Sequence, residues 1–467
     1  MSQPTVVVVG AGIAGLAAAW ELLQHNDIHV IVLEAADRPG GKLRTADVAG
    51  QPIDVGAESM LARRPEALDL FAEAGLSTDV VHPRPVPAAI WSRGALCPLP
   101  PRTLMGVPSD PATTIGVLTV EEAARAGAER LGPPLPGDVS VGDFVAQRLG
   151  DAVVDRLVEP LLAGVYAGHA RELSLQASVP GLWPAARTGT SVTAAAAALP
   201  TTAATGPVFA GFPGGLGSAI AHLAALLVER GVELRTGTTV RELARTPTGW
   251  RLVTGPTTTP HTVEADGVVL AAPAAPTARL LRPHTPSAAA LLADVEYASV
   301  AIVTLAVPRS AAALIGGSGF LVPPVEGLTI KAATFSASKW EWVDALSSET
   351  VLLRASVGRA RETAVLQRDD ADLVDVALAD LRADLGPALP DPVDTHVQRW
   401  GGGLPQYAVG HLDRVATVLE AVATLPALGL AGAAYQGVGI PACVASGRTA
   451  ARAVAGQFRA RAGTLRQ

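Results

Sequence analysis

Residues 5–9 read TVVVV and stop at a glycine, a short β-branched run with no polar alternation. Such a run predicts a strand buried on both faces, as in a parallel sheet. The period then changes. Ile13, Leu16, Ala17, Trp20 and Leu23 fall on one helical face, which predicts a helix over 13–24 that ends at the polar cluster His25-Asn26-Asp27. A second buried strand is predicted at 28–33 (IHVIVL). Strand, helix and strand in this order open a doubly wound sheet.

The middle of the chain is less periodic. Residues 98–140 are rich in Pro, Gly and Thr around a helical island at 120–131, and 141–165 predict two amphipathic helices, with Pro160 kinking or ending the second. An Ala/Thr/Pro-rich stretch at 180–208 reads as a boundary. Regular elements return as a helix at 215–230, a strand in VELRTGTTV and a strand at 267–273. Segments SVAIVTLAV and VLLRASVG, with a helix near 370–385, predict an α+β unit. The fold class is therefore α/β. One doubly wound domain is expected from 1–75, 205–275 and 396–467, a mainly helical insertion from 76–204, and an α+β domain from 276–395.

Composition narrows the function. The chain has 467 residues, of which 49% are hydrophobic and 17% charged, so it can bury a large core and is not disordered. A net charge of −7 argues against nucleic-acid binding, which needs a basic face. The two cysteines, Cys97 and Cys443, are isolated, which removes disulfide frameworks and cysteine metal clusters and suits a reducing cytoplasm. The histidines form no metal-ligand spacing, so no metal is expected. No secretory leader and no transmembrane segment are expected. The mean hydropathy of +0.33 comes from alanine and valine and leaves peripheral membrane contact open.

The strongest chemical signal is Gly10-Ala11-Gly12-Ile13-Ala14-Gly15, a GxGxxG between strand and helix. Its first glycine permits the tight turn, its second lets backbone approach a pyrophosphate, and its third allows close helix–strand packing. The helix N-terminus offers free N–H groups to phosphate oxygens. Glu34 closes the second strand, where a carboxylate accepts from ribose hydroxyls. A dinucleotide is expected here. Downstream of Glu34 and Ala35, a second glycine loop carries Gly41, Lys42 and Arg44, backbone and cations that can face a pyrophosphate from the other side. Near the C-terminus a strand ending at Leu430, a glycine-rich turn with Gly432, and a helix after Pro441 aim another helix N-terminus at whatever that turn holds.

These motifs resemble the flavoproteins of the glutathione-reductase superfamily, in the branch of amine oxidases, carotenoid desaturases and porphyrinogen oxidases. The resemblance covers nearly the whole chain and is closest to the porphyrinogen oxidases of haem synthesis, in particular the soluble enzymes of Gram-positive-type bacteria. It rests on QPIDVGAESMLARRPEALDLFAEAGL, QRWGGGLPQYAVGH and AYQGVGIPACVASG. It implies FAD in the doubly wound domain and substrate on the α+β domain. The backbone of Gly56, Ala57, Glu58 and Ser59 would lie along the flavin, Trp400 against it, Val438, Gly439 and Ile440 under the ring, and Val240 at the adenine. No cysteine occurs in the segment 400–411 where covalent amine oxidases carry theirs, so the flavin is expected to be non-covalent.

The resemblance further implies oxygen-dependent oxidation of coproporphyrinogen III, with protoporphyrinogen IX as the alternative and an amine or polyene substrate as a more distant one. Aromatic residues make up only 4% of the chain, which weakens an amine cage. Escort proteins of small GTPases share the architecture without turnover, but Glu34, Gly41-Lys42 and Gly437-Val438-Gly439 are intact. O2 would be the acceptor, and transient contact with the next haem-pathway enzyme is allowed. No catalytic base is assigned. Arg64, Arg63 and Lys331 are candidates for the substrate's carboxylates. Against this stand a solvated helix start at Pro65 for the arginines and snorkelling at a domain edge for Lys331.

Overall fold

The computed structural model describes residues 3–25, 27–199 and 206–464, with side chains to 458. Five parallel strands form the first sheet, in the order Glu233–Arg235, His29–Leu33, Thr5–Val9, Gly267–Leu270, Leu428–Leu430. The valine run explains itself at once. Val6 and Val8 pack on one face with the helices Ile13–Leu23, Leu216–Glu229 and Ile440–Thr464, while Val7 and Val9 pack on the other. That second face is covered by a three-stranded antiparallel sheet (Val240–Arg245, Trp250–Thr254, His261–Ala265) and by the helices Ala274–Leu281, Pro286–Ala293 and His411–Ala423. Full burial of each such valine stabilises the fold by about 1.5–3 kcal/mol.

The doubly wound α/β class expected from the sequence is the one found. Several local expectations need correction. The first helix ends at Leu23, and Asn26 of the expected stop lies outside the described residues. The helical island closes at Gly127, after a capping box between Thr119 and Glu122, because the prolines and glycines that follow cannot continue it. Pro160 neither ends nor breaks its helix. Helical turns Asp151–Val153 lead into a π-helical segment Val154–Val158, and the α-helix resumes as Glu159–Tyr166 with Pro160 in its first turn. The wider turn takes up the residue whose N–H is missing. The expected boundary at 180–208 is helical over Trp183–Thr188 and Val192–Ala197, the latter capped by Ser191, while 200–205 lie outside the described residues. The helices of 141–166 are core elements: Phe144, Val145, Leu157 and Leu162 are fully or nearly fully buried.

A second sheet of seven strands runs Asp394–Pro405, Tyr297–Pro308, Thr350–Val357, Ile330–Phe335, Gly319–Leu321, Ala88–Ser92, Ala95–Pro98. It takes strands from 88–98 and 394–405, outside the 276–395 segment expected to form that unit. One face is buried under the helix Asp370–Leu385. Among the described residues no helix is long and apolar enough to cross a membrane.

Two carboxylates show how burial sets charge in this fold. Asp54 is buried beneath the helix Leu216–Glu229 and accepts from the N–H groups of Leu216 (2.7 Å) and Gly217 (3.0 Å), a remote cap for a helix with no cap of its own. Burial pushes its carboxyl up to about 6, against those two bonds. Asp384, in the helix Asp370–Leu385, has both carboxyl oxygens buried without a partner, and burial pushes it up to about 7. A raised native pKa stabilises the fold below the unfolded value and loses that stabilisation as pH rises through the folded one. Asp384→Asn is therefore expected to be near neutral at pH 4 and stabilising at pH 8. After discounting for its partial exposure the gain is about 1 kcal/mol, read as Tm against pH for both proteins.

Candidate functional site

A cavity of about 510 Å3 runs along the carboxyl ends of four parallel strands, lined by Val9–Gly10, Leu33–Ala35, Ala271–Pro273 and Gly432–Ala434. This edge is where open α/β sheets bind ligands, and the volume falls in the usual range of about 300–1,000 Å3. The glycine motif behaves in three different ways there. Gly10 has φ +104°, and a Cβ on it would stand 2.8 Å from the Ala271 carbonyl oxygen. A Cβ on Gly15 would lie 1.8 Å from the Gly10 oxygen, so helix and turn touch only because it is absent. A Cβ on Gly12 would meet nothing within 4 Å. Its bare backbone faces open space at the helix N-terminus, as an approaching pyrophosphate requires.

Of the expected residues, Gly10, Gly12, Ile13, Ala14, Glu34, Ala35, Gly41, Lys42, Ala57, Val240, Gly432, Val438 and Ile440 line this cavity. Ala11, Gly15, Arg44, Gly56, Glu58, Ser59, Trp400 and Gly439 do not. Ala11 donates its N–H to Glu34 Oε2 (2.7 Å) and Ala36 donates to Oε1 (2.8 Å), so the carboxylate is fixed in direction. Lys42 has no carboxylate partner among the described residues, and burial pulls its ammonium below the usual lysine range. A half-buried cation in a glycine-lined cavity without a counter-ion among the described residues fits an anionic ligand. Sequence reading missed Thr238, Thr239, Arg279, Tyr297 and Leu404 as lining residues. The threonines adjoin Val240, whereas Tyr297 and Leu404 arrive from the second sheet, and no local spacing announces them.

The segment 54–59 is held by groups that do not reach the cavity. Gly56 crosses Lys42 so closely that a Cβ would lie 1.9 Å from the Lys42 oxygen. Trp400, expected against the cofactor, donates Nε1–H to the Val55 carbonyl (2.9 Å), with its ring beside Gly56. The Glu58 side chain points away into an ion cluster. It pairs with Lys339 and with Arg354 (2.5 Å), whose guanidinium also donates to the Gly56 carbonyl (2.7 Å). Burial works against its charge, but the two cations outweigh it and hold the carboxyl at about 2.

The segment Gln406–His411 braces the glycine turn. Tyr407 donates its hydroxyl hydrogen to the Ala433 carbonyl (2.6 Å) and accepts from Gly437 N–H (2.9 Å). His411 stacks on Tyr407 at 3.9 Å, and its Nε2 bonds the Tyr435 carbonyl (2.8 Å). Burial depresses that imidazole to about 4, so it stays neutral. The carboxylate candidates separate. Arg64 is exposed at the N-terminus of the helix Pro65–Glu73 and pairs with Glu66, and Arg63 is exposed beside it. Lys331 is only 5% exposed and bonds Ser356, on a strand interior to its sheet, which removes the snorkelling account.

Comparison with known proteins agrees with this geometry. The family of flavin containing amine oxidoreductases matches residues 13–455. A coproporphyrinogen III oxidase of Mycobacterium leprae is 39% identical over 96% of this chain and 98% of its own length. Another, from Bacillus subtilis, is 30% identical over 95% and 96%. A provisionally named protoporphyrinogen oxidase from Exiguobacterium sp. 255-15 superposes with a TM-score of 0.85 at 33% identity, covering 97% of this chain and 99% of that one. The chain belongs to the flavin-containing amine oxidoreductases and, within them, to the porphyrinogen oxidases; it is a flavin-dependent oxidoreductase.

Two substitutions separate cofactor binding from folding. Gly12→Ala meets open space and is expected to leave Tm nearly unchanged while lowering flavin content of the purified protein. Gly15→Ala forces the helix off the turn and costs about 1–3 kcal/mol in denaturant unfolding. Tyr407→Phe keeps the ring on His411 and removes two bonds to the turn. Flavin Kd is expected to rise about thirty-fold by fluorescence titration, at about 1 kcal/mol per bond.

Proposed function

We propose that this protein holds a non-covalent FAD in the cavity and catalyses the oxygen-dependent, six-electron oxidation of coproporphyrinogen III to coproporphyrin III in haem biosynthesis, in the cytoplasm. What carries the substrate assignment is that relatives matching almost end to end, from Mycobacterium leprae to Bacillus subtilis, bear that activity in their names. The name of the Exiguobacterium structure favours a second reading, protoporphyrinogen IX.

The residues present fit FAD. Glu34, fixed by two N–H groups, keeps lone pairs for ribose hydroxyls, and Gly12 and Lys42 would take the pyrophosphate. Arg44, whose side chain shows no ion pair among the described residues, is a further candidate for that charge. The backbone at Val240 would meet the adenine, and Gly56, Ala57, Glu58, Ser59, Val438, Gly439 and Ile440 would border the ring, with Trp400 bracing that wall. Attachment through sulfur is disfavoured: 400–411 hold no cysteine, and burial pushes the thiol of Cys443, which lines the cavity, up to about 11.

When bound, the flavin would supply the two-electron redox chemistry, removal of hydride from a meso carbon with O2 as the final acceptor, at the edge bordered by Ala57, Val438 and Ile440. Three rounds balance one porphyrinogen and three O2 against one porphyrin and three H2O2. The chain's part is to position the macrocycle and exclude water from the reacting edge. Arg63 and Arg64 remain candidates for a carboxylate at the rim, although Glu66 competes for Arg64.

Anaerobic mixing of the holoprotein with each porphyrinogen in turn tests the reading. Flavin bleaching faster with coproporphyrinogen III than with protoporphyrinogen IX is the expected result. The reverse order selects the second reading. Bleaching by neither, with bleaching by an amine, overturns both.

A further inference from the structure

The second sheet has two unlike faces. On one, Val303, Leu305, Ala333, Phe335, Leu353 and Ala355 are buried against the helix Asp370–Leu385. On the other, strand pairing sets Leu321, Ala332, Ser356 and Ile302 side by side across four strands. All four are half-buried, an open row in the middle of a sheet whose other face is closed. The next row holds Thr334 opposite Arg354, and Arg354 grips Glu58 and the Gly56 carbonyl. The open row therefore lies one strand step, roughly 7 Å, from the segment that carries Ala57 to the cofactor cavity. Over it stands the helix Glu159–Tyr166, with Gly164 facing Leu321 and Val165 41% exposed.

Two cations are buried beside this row. Lys331 is the extra residue of a β-bulge: Ile330 pairs with Val357 and Ala332 with Ser356, so Lys331 has no partner and its side chain is re-aimed. Its ammonium bonds the Ser356 hydroxyl, and its other two donors make no hydrogen bond among the described residues. Arg359 is 3% exposed and donates to the Val322 carbonyl (3.1 Å), while Val322 in turn donates to the Lys331 carbonyl (2.9 Å). The Arg359 Nε is buried without a partner, and the nearest carboxylate, Glu362, is half exposed at 3.6 Å. Burial, reinforced by Arg359, lowers the Lys331 ammonium to about 7. Interior cations that repel each other are costly unless an anion joins them.

We propose that Lys331, seated on Ser356 and backed by Arg359, is the receptor for one propionate of the tetrapyrrole, whose flat face lies along Leu321, Ala332 and Ile302. This rests on the porphyrinogen reading and goes further, since it gives one substrate carboxylate a definite anchor on the wall next to the cofactor. It also adds Arg359, which no motif in the sequence singled out.

The test compares coproporphyrinogen III with its neutral tetramethyl ester on the wild-type, Lys331→Met and Lys331→Arg holoproteins, alongside thermal unfolding. Lys331→Met is expected to raise KM for the free acid about ten-fold, with a much smaller change in kcat and none in KM for the ester. Lys331→Arg should restore most of the difference. Tm should hold or rise in Lys331→Met, because an uncompensated buried charge is gone, whereas a purely structural lysine would lower it. An unchanged KM for the acid, or equal changes for acid and ester, overturns the proposal while leaving the porphyrinogen reading intact. Wild-type protein that oxidises neither compound removes that reading and the anchor with it.

Discussion

Backbone passing within contact distance of backbone is the constraint on which this molecule depends. It happens where Gly15 sits under the Gly10 carbonyl, where Gly56 crosses Lys42, and where Gly447 of the last helix meets the Ala14 carbonyl, at a would-be Cβ distance of 2.1 Å. In each place a methyl group has no room. The first crossing shapes the helix N-terminus that offers its N–H groups, the second brings the 54–59 segment over the second glycine loop, and the third locks the two terminal regions together. The cofactor edge is the product of these three approaches, and Gly12 is left on its open side.

Around that edge, polar groups do their work by holding other backbone in place. Tyr407 and His411 fix the turn at 433–437, Trp400 fixes Val55, and the Glu58 cluster fixes Gly56 through Arg354. Each is a buried or part-buried hydrogen bond or ion pair that costs free energy to break, so each wall of the cavity is stiffened from behind. Reactive chemistry is left to the flavin, and position to the chain.

Much of this was legible in the sequence wherever a physical requirement is local. A run of valines between two covered faces, a glycine triplet between strand and helix, and an acid at the end of the second strand each carry their reason within a few residues. What depends on distant pairing was not legible. Pro160 looks like a helix breaker until a π-helical turn absorbs it, and no local spacing shows that the Trp400 and Glu58 side chains hold the backbone of 54–59. Lys331 alternates with apolar residues as an edge lysine would, and only the bulge and the sheet order show that it is interior. Strands at 88–98 joining a sheet built mostly from 297–405 follow from no periodicity at all.

The order in which the first sheet is assembled has a consequence for biosynthesis. Its strands come from residues 5–33, 233–270 and 428–430, and the helix that closes the cavity begins at Ile440. A ribosome therefore exposes a half-built edge, with its glycine turn and unpaired N–H groups, for most of the time it takes to make the chain. In such a topology the cavity is fully walled only once the residues from 428 onward have been made.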